Sequence, residues 1–170
     1  RDWSWSRGLG DVYKRHVEID ETNLKSKEWY NNTNITYAFS GGKVTGSYGT
    51  ATAKPHADIL YTEQNKTDNE IPTGKDVGDV KQEGLKTILI REVKAQAQGI
   101  LNQTDWYVVR KADTDEAIPS NVATHRAAVR TKQASMETAI TNAADAAALE
   151  TLYTRNDSGV RPLGDIPVLE

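Results

Sequence analysis

The chain has 170 residues, no cysteine and a formal net charge of −3, from 21 basic and 24 acidic residues. That size suits one ordinary domain or two small ones, and the missing Cys excludes a disulfide framework, a thiolate zinc site and a cysteine nucleophile. The balanced charge offers no polycation for holding nucleic acid, and no apolar run approaches the roughly 20 residues of a membrane span.

Leu, Ile, Val and Phe make up only about 19 % of the residues, just under the roughly 20 % at which a strongly charged chain is read as disordered. The small net charge, four Trp and seven Tyr argue instead for a folded chain with a thin core. A thin core in a chain of this length predicts burial completed by a partner or a second copy.

No signal peptide opens the chain. Residue 1 is Arg rather than Met, so preceding sequence is expected, and a removed targeting segment stays open. Trp3 and Trp5 alternate with Ser near Arg1 and Arg7, which would place both indoles on one face of a strand. Trp and Arg are favoured interface anchors; docking into a partner and packing on the chain's own domain are equal alternatives for this pair.

The strongest β signal is Ile35-Thr36-Tyr37-Ala38-Phe39, then Ser40-Gly41-Gly42-Lys43, then Val44-Thr45-Gly46-Ser47-Tyr48. Ile35, Tyr37 and Phe39 share one face of a pleated strand, and paired glycines accept the positive φ of a tight turn, so a hairpin is predicted. Tyr13 to Ile19 and Ile59-Leu60-Tyr61 are candidates for further strands. Residues 62–82 carry few large apolar groups and read as a loop or linker.

A composition break falls near Gly84, after which the apolar spacing becomes helical. Leu85, Ile88, Leu89, Val93, Ala97, Ile100 and Leu101 form one stripe, and Thr104-Asp105-Trp106 is expected to end that helix. A second helix is predicted from Ser120, just after Pro119, with Val122, Val129, Met136 and Ala143 recurring every seven residues beside Ile140. Asp145 is placed to cap a short third helix carrying Leu149, Leu152 and Tyr153. Pro162, Gly164 and Pro167 predict an extended tail.

The expected class is therefore α+β. A β-rich region covers 1–84 with its loop at 62–82, an antiparallel helical hairpin module with a short third helix covers 85–155, and an extended tail covers 156–170.

Motifs for chemistry are sparse. His16, His56 and His125 stand alone, without a second ligand at helical spacing. Gly41-Gly42-Lys43 lacks the upstream Gly and following hydroxyl of a phosphate loop and reads as a turn. Acidic groups occur at Asp11/Glu18/Asp20/Glu21, Asp68/Glu70 and Asp113/Asp115/Glu116. The last resembles the start of a calcium loop but has Ile118 and Thr124 where that loop needs Gly and Glu. Paired carboxylates serve glycan hydrolysis only when the fold sets their separation and dries one of them. No catalytic residue, metal site or cofactor is expected.

An apolar helix running into Thr104-Asp105-Trp106, then Ile118-Pro119 before a second helix carrying His125-Arg126-Ala127-Ala128-Val129-Arg130, resembles a module of tail-associated and other virion structural proteins of tailed bacteriophages. In that family these features serve a helical hairpin, not catalysis. His125 stands where an aromatic is usual, and the loop from Tyr107 to Ile118 is longer than the family's short Pro-containing one. The resemblance implies a virion structural component, in a tail, neck or fibre region, made in the bacterial cytoplasm. Its partners would be other phage structural proteins and copies of itself, with no nucleic acid or membrane. The alternatives are a tail or fibre assembly chaperone absent from the finished particle and, further off, a glycan-acting enzyme.

The residues expected to carry the role are Trp3, Trp5, Arg126 and Arg130 at interfaces and Thr104, Asp105, Trp106 and Pro119 in the structural motif. Trp106 is expected to cap the apolar seam between the helices. Arg126 and Arg130, four residues apart on one helix face, are expected to reach carboxylates or carbonyls at the hairpin's end.

Overall fold

The computed structural model describes residues 17–169, and Trp3, Trp5 and His16 lie outside them. The class is α+β: small sheets come first and helices follow. The chain divides into two compact units between Ala53 and Lys54, not near Gly84 where the composition changes.

In the first unit a three-stranded sheet has the order β1 (Val17–Asp20), β4 (Lys43–Tyr48), β3 (Ile35–Ser40). β3 and β4 form the predicted hairpin, closed by Gly41 and Gly42 at φ 59° and 75°. Two successive positive φ values match the twist of a two-residue hairpin loop, and glycine adopts them without steric cost. β1 runs parallel to β4, pairing Val17 with Val44 and Ile19 with Gly46. A second, two-residue ladder joins β2 (Tyr30–Asn31) to β5 (Thr52–Ala53). The intervening loop is pinned by Asn32, which accepts from Lys25 N at 2.9 Å and donates to Lys25 O at 2.7 Å. Trp29 is buried in this unit.

The second unit begins with the segment that holds the first long helix. β6 (Ile59–Leu60) pairs antiparallel with β7 (Val80–Gln82), and α1 (Glu63–Thr67) lies between them, opened by a Thr62/Asn65 capping box. The stretch 62–82 is therefore structured at both ends, which its polar composition concealed. A capping box needs only short polar side chains, and a one-turn helix shows no apolar periodicity.

α2 (Leu85–Asn102) starts at Gly84, which has no side chain to cap it. The preceding segment supplies the acceptors: Leu85 N donates to Pro55 O at 2.9 Å, Lys86 N to His56 O at 3.0 Å and Gly84 N to Asp58 Oδ1 at 2.7 Å. These satisfy the orphan donors of a helix N-terminus and set a carboxylate at its positive end. This explains the position of the unit boundary. Residues 55–58 belong to the helical unit because its first helix is capped by them.

α2 buries Leu85, Leu89, Val93, Ala97 and Leu101 against α4 (Ser120–Asn142), which buries Val122, Arg126, Val129, Met136 and Ile140. The pair is antiparallel: Lys86 Nζ donates to Thr141 O, Lys94 pairs with Glu137, and Arg126 reaches Leu101. The seven-residue seam is filled as its spacing predicts, with Ala143 closing it.

Between these helices lies α3 (Asp105–Thr114), where a long loop was expected. It ends on Asp115 at φ 60°, a left-handed cap that acidic and amide residues tolerate better than most. α5 (Ala146–Tyr153) follows, capped by Asp145 Oδ1 accepting from Ala148 N at 2.8 Å.

The tail from 156 is irregular but not free of the core. Leu163 is buried, Ile166 packs on the Ala97–Leu101–Val129 cluster, and Lys132 Nζ donates to Leu163 O at 2.8 Å. Arg155 and Arg161 both pair with Asp165, at 3.0 and 2.9 Å.

Candidate functional site

Two surfaces stand out, one in each unit. In the helical unit, α2 ends where the chain turns into α3, and the last carbonyls of α2 need donors. Leu101 O accepts from Thr104 N at 3.0 Å, from Thr104 Oγ1 at 3.1 Å and from Arg126 Nη1 at 2.8 Å. Arg126 Nη1 also donates to Thr104 Oγ1 at 2.7 Å, and its Nη2 lies 2.8 Å from Asp105 Oδ1.

The guanidinium thus crosses from the first turns of α4 to the negative end of α2 and the start of α3. Burial leaves Arg126 only 6 % exposed, while 45 % of the Asp105 side chain is in solvent. A planar fork with several donors is the group suited to such a junction. Thr104 and Asp105, with the sequence-distant Arg126, form one cluster.

The other residues singled out from the sequence do not join it. Arg130, one turn on, is exposed. Pro119 is the N-cap of α4, its carbonyl accepting from Ala123 N at 3.0 Å.

Trp106 departs from its expected place. It is 52 % exposed and does not cap the seam, which is sealed at this end by Thr104 and Arg126. The unforeseen helix is the cause: α3 starts at Asp105, and Trp106 in its first turn stacks outside, 3.8 Å from the Tyr107 ring centroid. The Arg110 guanidinium lies over both rings, at 4.7 Å from Trp106 and 5.2 Å from Tyr107, and pairs with Glu116 at 3.3 Å. α3 buries none of its own residues, and Val108 and Val109 are exposed beside the stack. Tyr107 and Arg110 escaped sequence reading; the four-residue spacing of Trp106 and Arg110 was the available signal.

In the strand unit, register decides the faces. Residues paired across strands point the same way, so Val17 and Ile19, Val44, Gly46 and Tyr48, and Ile35, Tyr37 and Phe39 share one face. Glu18, Asp20, Lys43, Thr45, Ser47, Thr36 and Ser40 share the other. The apolar face is open: Phe39 is 75 % exposed and Tyr37 62 %, with Val17 and Ile19 also exposed. The sequence showed the Ile35–Tyr37–Phe39 row but not the β1 row beside it.

A cleft of about 480 Å³ opens at one end of this face, lined by Ile35, Tyr37 and Tyr48 together with the loop residues Leu24, Lys27, Asn32, Thr33 and Asn34.

Several carboxyl groups are held below their ordinary values, Asp58 and Asp165 of the helical unit among them. The Gly84 N–H and then the Thr87 hydroxyl lower Asp58, and hydrogen bonding from Arg155 with the charge of Arg161 lowers Asp165. Both serve local structure. Among the described residues no three His, Asp or Glu side chains gather as a metal site would need, and no helix is long and apolar enough to cross a membrane. Comparison of the chain with protein-family models, with curated proteins and with solved structures finds no match.

Proposed function

We propose that the chain is a structural component of a tailed-phage virion, working through protein–protein contacts in a multi-copy assembly rather than through catalysis. The observation that carries the contact role is α3. A ten-residue helix with no fully buried residue presents Trp106 and Val109 to solvent beside the half-buried Tyr107 and Arg110, on a base fixed by Arg126. Trp, Tyr and Arg are the residue types in which binding energy concentrates at interfaces. A rigid base lowers the ordering cost of docking. The tailed-phage setting is supported by the Thr104-Asp105-Trp106 and Arg126-to-Arg130 pattern described above.

The test is mass spectrometry of purified particles, with a photo-crosslinking residue placed at exposed Val109. The expected result is the chain at fixed stoichiometry to the major capsid protein and a crosslink from Val109 to a virion subunit. Abundance in the lysate with absence from particles would replace this reading with the assembly chaperone.

A further inference from the structure

We propose that the segment 1–16 docks on the apolar face of the three-stranded sheet, with Trp3 and Trp5 covering Phe39 and Tyr37. The segment lies outside the described residues, but the place where it joins them is defined. It runs into Val17, the first residue of β1. Val17 pairs with Val44, and Val44 pairs with Phe39, so the three form one row across the sheet. Ile19, Gly46 and Tyr37 form the next row. Phe39, at 75 % the most exposed of the large apolar residues described, therefore stands in the row where the segment enters.

Apolar rows left open on a sheet mark a contact surface, and the covalent link selects what meets this one. A tethered segment faces its site at an effective concentration in the millimolar range, which an untethered partner has to match by affinity or abundance. The reach is sufficient. From Val17 to Phe39 is two strand spacings, about 10 Å. Twelve residues lead from Trp5 to Val17, and at about 3.3 Å each they extend to about 40 Å.

The segment also carries the side chains that the face lacks. Trp3 and Trp5 alternate with Ser4 and Ser6, so an extended backbone turns both indoles to one side and both hydroxyls to the other. Gly8 and Gly10 permit a chain reversal between the indoles and β1. Two indoles answer the two exposed rings, Phe39 and Tyr37, and aromatic pairs gain from edge-to-face or offset contact beyond the area they bury. The opposite face, with Glu18, Asp20, Lys43 and its hydroxyls, offers the indoles no apolar bed.

Phe39 is the only phenylalanine of the chain, so incorporating 4-fluorophenylalanine gives the full chain a single ¹⁹F signal at the site. The expected signal is displaced from its urea-unfolded position, shows a small H₂O-to-D₂O shift, and is unchanged by dilution. In the Trp3→Ala/Trp5→Ala double variant the ring should regain the full solvent-isotope shift of an exposed fluorophenyl group. Trp3→Leu/Trp5→Leu keeps apolar cover without indole ring currents, so its signal should move while the solvent-isotope shift stays small. The amide signals of the β3–β4 hairpin report that each variant remains folded. A ring that already shows the full solvent-isotope shift in the unsubstituted chain overturns the proposal. So does a signal that neither double variant moves. A solvent-isotope shift that grows on dilution overturns it in favour of a second copy on this face.

Discussion

Replacing Arg126 with Ala removes the group that joins the end of α2 to α3 and α4. Its Nη1 makes two bonds, to the Leu101 carbonyl and the Thr104 hydroxyl, and both acceptors are shielded from water. A hydrogen bond from a charged donor contributes about 1.5–3 kcal/mol, and the desolvation of the guanidinium offsets part of that sum. Leu101 O keeps two donors from Thr104 after the substitution, so it is not orphaned. The Asp105 partner is half in solvent and contributes under about 1 kcal/mol.

The expected loss for Arg126→Ala is therefore about 2–3 kcal/mol. Asp105→Ala should cost less than about 1 kcal/mol, and Arg126→Lys, which cannot span the same forked acceptors, should lose about half of the Ala effect. Urea unfolding followed by far-UV circular dichroism measures all three, as midpoint shifts at constant slope. The ranking is the test. Equal losses for Asp105→Ala and Arg126→Ala would place the stability in the ion pair and refute the assignment to the carbonyl and hydroxyl.

Two glycines, Gly84 capping α2 and Gly99 inside it, should respond oppositely to Ala. A methyl on Gly84 would overlap the Ala57 carbonyl and stand 2.8 Å from Ala57 Cα, costing about 3 kcal/mol as overpacking. Gly99 has open space around it, so Gly99→Ala should stabilise by up to about 1 kcal/mol; thermal melts that shift in one direction for both would contradict the local account. Trp106→Ala should lower stability by no more than about 1 kcal/mol, the worth of an exposed cation–π contact. A much larger drop in melting temperature would mean the indole is core. Asp58 and Asp165 have folded pKa values below the ordinary 3.8, so their stabilisation is present above that value and fades as pH falls through the depressed folded values. Acid unfolding should accordingly shift to higher pH and lose steepness there in Asp58→Asn and Asp165→Asn, and unchanged acid titrations would remove both carboxylates from the account.

The parts of this fold written in local pattern were legible in sequence. The β3–β4 hairpin follows from alternation and paired glycines, and the α2 and α4 seams follow from apolar spacing alone. α3 was hidden because Asp105 to Thr114 buries no residue, so it carries no periodic stripe to read. The unit boundary was hidden for another reason: main-chain carbonyls of Pro55 and His56 cap α2, and carbonyls have no sequence signature. Arg126 could be named from its motif, but its partners could not, since Leu101 contributes only its backbone. The apolar sheet face was half visible, because the row of β3 is local while that of β1 depends on a parallel pairing across the hairpin.

The placement of Leu163 and Ile166 bears on how the chain matures. Ile166 completes a core begun by Ala97 and Leu101 more than sixty positions earlier, so the helical hairpin remains unfinished during synthesis until that residue has left the ribosome. Premature termination before Leu163 would leave Lys132 without its carbonyl acceptor and the Ala97–Val129 side of the seam uncovered. Such a fragment shows a proteolytic system apolar surface that the finished unit hides. The segment around Leu163 and Ile166 thus acts as a late-arriving cover for the hairpin, whose seam stays open until that segment docks.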